Sequence, residues 1–112
     1  MRCVSVLSMA LVLAALTACS KTAPPDPKLV LGKTVWEGTC RTCHLNGIGG
    51  APAMGNLKAW TPRIAQGFDV LVAHALNGFS GNEGSMPPRG GNAALMDAEI
   101  DAAVYYMVAN SQ

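Results

Sequence analysis

Cys40-Arg41-Thr42-Cys43-His44 is the segment of this chain with the clearest chemistry. Two thiols three positions apart can each add across one vinyl group of a haem, and the adjacent imidazole then binds the iron. C-x-x-C-H is the attachment signal of c-type haem. Other uses of the pair fit less well. A structural zinc site needs about four ligands, and His74, the one other histidine, has no second Cys/His pair around it. A thioredoxin-like dithiol belongs to a strand–helix–strand pattern that is missing here. One covalently attached haem c is the expected cofactor, and redox chemistry at iron the expected function.

His44 supplies one iron ligand, and the opposite face needs another. Met86-Pro87-Pro88-Arg89-Gly90-Gly91 is the best candidate segment, because a methionine in proline-stiffened, extended backbone presents its sulfur at a fixed distance. Thioether with imidazole raises the haem potential and favours electron transfer over oxygen chemistry. Met54, in Ala51-Pro52-Ala53-Met54, competes. Its nearness to the attachment site suits packing on the histidine side of the ring.

The elements that must position these groups are short. Asp26 as N-cap and Pro27 at the first helical position predict a helix from Pro27 to about Cys40, with Leu29, Gly32 and Trp36 on one face. A last helix is expected from Ala98 to about Ala109, capped by Asp97, with Ile100, Val104, Met107 and Val108 sharing a face. These two faces are expected to pack together. Between them Thr61-Pro62 reads as an N-cap and first-turn proline, Gly67 interrupts, and Phe68 to Leu76 resumes until Asn77-Gly78 stops it. Residues 45–56 and 79–91 read as glycine- and proline-rich loop that can wrap a flat cofactor. The fold class is therefore all-α, with three to four helices. A domain of about 85 residues buries only about 60–65% of its surface, so a central haem would serve as a large apolar core element.

Residues 1–18 read as an export signal: Arg2, then an apolar stretch from Val4 to Ala18 too short to cross a bilayer comfortably. Leu16-Thr17-Ala18-Cys19 resembles a bacterial lipoprotein box, in which cleavage precedes the cysteine and lipid is attached to its sulfur; the alternative is ordinary cleavage after Ala18. Lipidation of Cys19 is favoured. It leaves no free thiol, since Cys3 departs with the signal and the haem takes Cys40 and Cys43, as suits an oxidising compartment. Residues 19–27 hold three prolines in four positions, Pro24, Pro25 and Pro27, and form a semi-rigid tether of roughly 20–25 Å. Residues 28–112 are the folded domain.

Taken together, Cys40-Arg41-Thr42-Cys43-His44, Gly50-Ala51-Pro52, Trp60 with Arg63, Gly78, Met86-Pro87-Pro88-Arg89-Gly90-Gly91 and Ala102-Ala103-Val104-Tyr105-Tyr106-Met107 resemble the cytochrome c5 branch of the small class I bacterial cytochromes c, over roughly residues 29–110. The resemblance implies the class I cytochrome fold, thioether links at Cys40 and Cys43, and His44 and Met86 as axial ligands. It also implies a Pro52 carbonyl that orients the His44 ring, and Trp60 and Arg63 near a haem propionate. Some family members carry an extra cysteine pair near the methionine loop. This chain has none, which leaves that loop to its prolines and its packing.

Removing Arg2 leaves seven Lys and Arg against seven Asp and Glu. Without a dense lysine cluster, long-range steering is expected to be weak, and nucleic-acid binding has no support. The expected protein is an electron carrier, not an enzyme. It passes single electrons between redox partners such as respiratory oxidases or reductases on the periplasmic side of a bacterial membrane, held there through Cys19. The alternatives are a haem enzyme or gas-binding protein with a displaceable Met86, and a fixed subunit of a respiratory complex.

Overall fold

The computed structural model describes residues 22–112; the expected signal segment and Cys19 lie outside them. Residues 22–26 have no regular structure. Helix α1 then runs Pro27–Val35, started by the Asp26 carboxylate, which accepts the Lys28 N–H at 2.8 Å, and by Pro27, which has no N–H to leave unpaired. The helical path does not stop at Cys40. It widens into one π-helical turn, Trp36–Cys40, where the Arg41 N–H reaches back to the Trp36 carbonyl, and continues as α2, Arg41–His44. One extra residue in a turn rotates everything after it by roughly 100° about the axis. The haem motif therefore faces a direction that the periodicity of α1 does not give.

Helix α3 is Leu57–Ile64, and its start differs from the Thr61-Pro62 expectation. Asn56 is the N-cap, its side chain accepting the Ala59 N–H at 3.2 Å, and Pro62 sits inside the helix. The proline removes one rung of the ladder. On either side of it, Thr61 Oγ1 donates to Leu57 O at 2.8 Å and Arg63 Nη1 donates to Ala59 O. Helix α4, Phe68–Asn77, lies between Gly67 and Gly78, close to where the sequence puts it. A short antiparallel hairpin follows in what reads as loop, β1 Phe79–Gly81 with β2 Gly84–Met86, pairing Phe79 with Met86. Helix α5, Asp97–Ala109, is capped one residue earlier than expected. Met96 is the cap position, and its N–H is bound by the Glu99 carboxylate at 2.7 Å.

Helices α1 and α5, from opposite ends of the domain, form the main helix–helix seam. Gly32 makes it possible: a Cβ there would stand 2.0 Å from the Ala102 carbonyl oxygen. Lys28 fastens the same end, pairing with Asp101 and lying 5.1 Å from the Phe68 ring centre and 4.8 Å from that of Tyr105. The α5 stripe is wider than one face. Ile100, Ala102, Ala103, Val104 and Met107 are all buried, because α1 covers one side and α4 another. Two apolar clusters result. Trp36, Trp60 and Met107 gather Cys40 and Met54, whereas Ala75, Ile100 and Val104 gather Leu71, Leu76 and Met86.

Candidate haem site

The crevice beside these clusters is walled by Ala75, Ile100, Ala103, Val104 and Met107, and Cys40, His44, Met86, Arg89 and Gly90 also line it. Its walls come from α4 and α5, its thiol and imidazole from the π turn and α2, and its thioether from β2. Cys40 is half-buried and Cys43, at the exposed side of α2, is reachable from outside; neither is in a disulfide. Burial pushes the Cys40 thiol up, so in the closed fold it stays protonated and a poor nucleophile.

His44 is buried, and its Nδ1 lies 2.9 Å from the Pro52 carbonyl oxygen. A carbonyl only accepts, so Nδ1 carries the proton and Nε2 keeps its lone pair. The backbone reinforces this pose: the Met54 N–H donates to the His44 carbonyl at 2.8 Å. Burial lowers the His44 pKa, the bond to Pro52 opposes that shift, and the Arg63 charge adds to it. The net direction keeps the imidazole neutral, the form that binds a metal.

Met86 and Met54 separate cleanly. Met86 shares the crevice with His44, while Met54 packs in the cluster of Trp36 and Trp60. Trp60 is buried with its ring centre 6.4 Å from that of His44, and its Nε1 donates to the Ala53 carbonyl at 2.9 Å. Arg63 donates to Ala59 O and pairs with Glu83 at 3.1 Å. In this structure both groups implied to lie near a propionate thus have protein partners.

Some contacts of the site are not readable in the sequence, although Arg89 and Gly50 stand in segments already singled out. Arg89 is half-buried and lines the crevice. Ser111, almost fully buried, accepts the Gly55 N–H at 2.9 Å and ties the C-terminus to the segment after Met54. The Ile48–Gly50 turn meets the hairpin tip backbone to backbone: a Cβ on Gly50, where φ is +80°, would stand 1.8 Å from the Glu83 carbonyl oxygen. Ser111 lies in no motif, and for Arg89 and Gly50 the motif segments do not name the partners that fix their roles.

The donor set suits a haem. Two thiols, Cys40 at the crevice and Cys43 exposed beside it, precede an imidazole whose free nitrogen is fixed by its tautomer; a thioether lines the same crevice, and most of its other walls are aliphatic. Trp36 Nε1, in the cluster against which Cys40 packs, is a buried donor that the polypeptide does not satisfy, which costs about 1–3 kcal/mol when nothing else accepts it. Among the described residues no cluster of His, Cys, Asp and Glu offers a competing site for a metal ion.

Comparison with known proteins gives the family. The family model described as cytochrome C oxidase, cbb3-type, subunit III matches residues 27–107. Cytochrome c-555 of Chlorobaculum tepidum is 48% identical over 81 residues, 72% of this chain and 75% of that protein. Cytochrome c5 of Ectopseudomonas mendocina is 36% identical over 70 residues, 61% of this chain and 76% of that protein. A chain from the crystal structure of an electron transfer complex of nitrite reductase with cytochrome c superposes with a TM-score of 0.66 at 40% identity, covering 80% of this chain and all of that one. The chain belongs to this cytochrome c family, as a small class I monohaem cytochrome with one covalently attached haem c. It is an electron carrier.

Proposed function

We propose that this cytochrome carries single electrons between respiratory redox proteins on the periplasmic side of a bacterial membrane, with His44 and Met86 as its axial ligands. The observation that carries the reading is His44 held by Pro52 with Nε2 unprotonated, in one apolar crevice with the Met86 thioether. When bound, the haem supplies a one-electron couple whose potential its ligands and surroundings tune. The chain does the rest. Cys40 and Cys43 anchor the group by thioether bonds, and Pro52 fixes the ring of His44 and makes it a better donor. Ile100, Ala103 and Val104, which line the crevice, would keep water from the bound group. Trp60 and Arg63 act at the propionate edge, where a carboxylate would compete with Ala53 and Glu83 for their N–H groups.

Export through residues 1–18 and lipid on Cys19, with residues 19–27 as tether and 28–112 as the working domain, would confine the carrier to the membrane surface. Among the described residues no helix is long and apolar enough to cross a membrane. The description of the matching family names an oxidase subunit, which favours a second reading: a cytochrome fixed to a respiratory complex. Co-purification with a stoichiometric partner separates the two.

The test is the visible spectrum of the ferric protein. The weak red-edge band of sulfur-to-iron charge transfer is expected, and is expected to vanish in Met86→Ala but not in Met54→Ala. A high-spin spectrum, or ready binding of carbon monoxide to the ferrous form, would mean an open iron and would replace the carrier reading with a gas-binding or catalytic one. For the tether, a water-soluble product with a free Cys19 thiol would refute the lipid anchor.

A further inference from the structure

Beyond Met86 the backbone has few means of holding its place. Pro87 and Pro88 have no N–H to donate. The hydrogen bonds that follow, Gly90 N–H to Pro87 O, Asn92 N–H to Arg89 O and Leu95 N–H to Asn92 O, are all internal to the loop. A long contact of 3.4 Å from the Asn92 amide to Thr39 Oγ1 reaches outside it. Among the described residues, the two cysteines are those of the haem motif, so no disulfide fastens this loop.

Arg89 stands in the middle of the loop in an unfavourable conformation. With φ +53° and ψ +29°, it is the one non-glycine with positive φ among the described residues. Left-handed backbone at a residue with a Cβ persists only where its surroundings over-determine it. What determines it here is the guanidinium. Nη1 donates to the Leu95 carbonyl at 2.7 Å, and Nη2 donates to the Asp97 carboxylate at the first turn of α5. The same side chain lines the crevice with Met86. A planar fork presents its two N–H donors in fixed directions to two separate acceptors, a geometry that the flexible ammonium of a lysine reproduces only in part.

We propose that Arg89 is a positioning residue that keeps the Met86 thioether on the iron, by clamping the methionine loop to the N-terminal end of α5. The clamp replaces, with one buried-edge guanidinium, the covalent staple that this loop lacks. The inference rests on Met86 as an axial ligand. The unfavourable backbone at Arg89 sharpens it, because glycine at that position would relax the backbone while deleting the clamp. A purely structural role and a ligand-positioning role therefore predict different things.

The experiment compares holoproteins by three readouts: the charge-transfer band, the rate of cyanide binding to the ferric form, and the guanidinium unfolding midpoint. Arg89→Gly is expected to keep the band at neutral pH and nearly keep the midpoint, yet bind cyanide about tenfold faster. Of the two guanidinium hydrogen bonds lost, the pair with exposed Asp97 contributes little, so the factor corresponds to about one charge-assisted hydrogen bond lost from a local closure. Asp97→Asn, which leaves the backbone alone, is expected to show a smaller acceleration of the same sign, and Arg89→Lys an intermediate one. Cyanide binding within twofold of wild type in both Arg89→Gly and Asp97→Asn would overturn the clamp, whatever their midpoints. If Met86→Ala retains the band, the ligand assignment fails and takes the clamp with it. Loss of the band in Met86→Ala beside unchanged cyanide rates in the Arg89 and Asp97 variants would sink the clamp alone.

Discussion

Replacing Gly32 by alanine tests the seam on which the domain closes. A Cβ there would lie 2.0 Å from the Ala102 carbonyl oxygen and 2.8 Å from Tyr106 Cβ. Carbon and oxygen tolerate about 3.3 Å, so α1 and α5 must part by about 1.3 Å. The obstacle is backbone, and no side chain can rotate away from it. A gap of that size forfeits about half of the dispersion energy along the seam, and overpacking of a close-packed site costs about 1–3 kcal/mol, occasionally more. Alanine returns about 1 kcal/mol of helix propensity. The net expectation is a loss of about 2 kcal/mol from a total of about 5–15, which moves the guanidinium midpoint down by about 0.5–1 M. Gly38 supplies the control. Nothing lies within 4 Å of its Cβ position, so Gly38→Ala gains at most about 1 kcal/mol of propensity. Unfolding is followed by far-UV circular dichroism and by haem absorbance. A Gly32→Ala midpoint at or above wild type would refute the argument from close approach.

Four further outcomes are expected. Trp60→Phe keeps the packing but strands the Ala53 carbonyl that Trp60 Nε1 now satisfies; a loss of about 1–2 kcal/mol in denaturant titration is expected, and no change would mean that water replaces the indole. Asn56→Ala removes the cap of α3 and costs about 1 kcal/mol by the same assay, while Thr61→Ala costs less because Thr61 is not the cap. His44 has a folded pKa below its ordinary 6.5, so the stability it contributes is present above that value and lost as pH falls through the lower one. The unfolding midpoint should drop as pH falls below about 6.5, and a flat profile would count against neutral, buried His44. Finally, with equal numbers of acidic and basic side chains beyond residue 18, electron transfer to a soluble partner should slow by less than about threefold between low and physiological salt; a steep fall would reveal a steering patch.

Much of the fold was legible because it rests on local chemistry. Asp26-Pro27, Gly67 and Asn77-Gly78 mark helix ends by capping and by backbone freedom, and the structure keeps them. The start of α3 was not legible, since Pro62 resembles a first-turn proline and here sits deep in a helix. Asn56, a good capping residue ahead of Leu57, was the signal available. The π turn at Trp36–Cys40 has no marker in the chain; it follows from tertiary packing that buries Trp36 against Trp60 and Met107 while aiming Cys40 and His44 into the crevice. The three-residue strands of the hairpin are too short to show alternation. At the site, adjacent residues were readable and assembled ones were not: Cys40, Cys43 and His44 declare themselves, whereas Arg89 matters through Leu95 and Asp97.

The contact between the Ile48–Gly50 turn and the hairpin tip bears on how such a protein can change over time. The loop after His44 and the strand pair leading to Met86 meet through main chain, at Gly50 and Glu83. A rim joined this way keeps its shape whatever its outward side chains are. Leu45 and Ile48 are exposed, as is the Glu83 side chain, and each can be exchanged without moving the backbone that carries His44 or Met86. Lineages that adopt a new electron donor or acceptor can therefore rewrite this rim residue by residue while the redox centre stays under separate selection. The glycine at position 50 is what such drift has to leave alone.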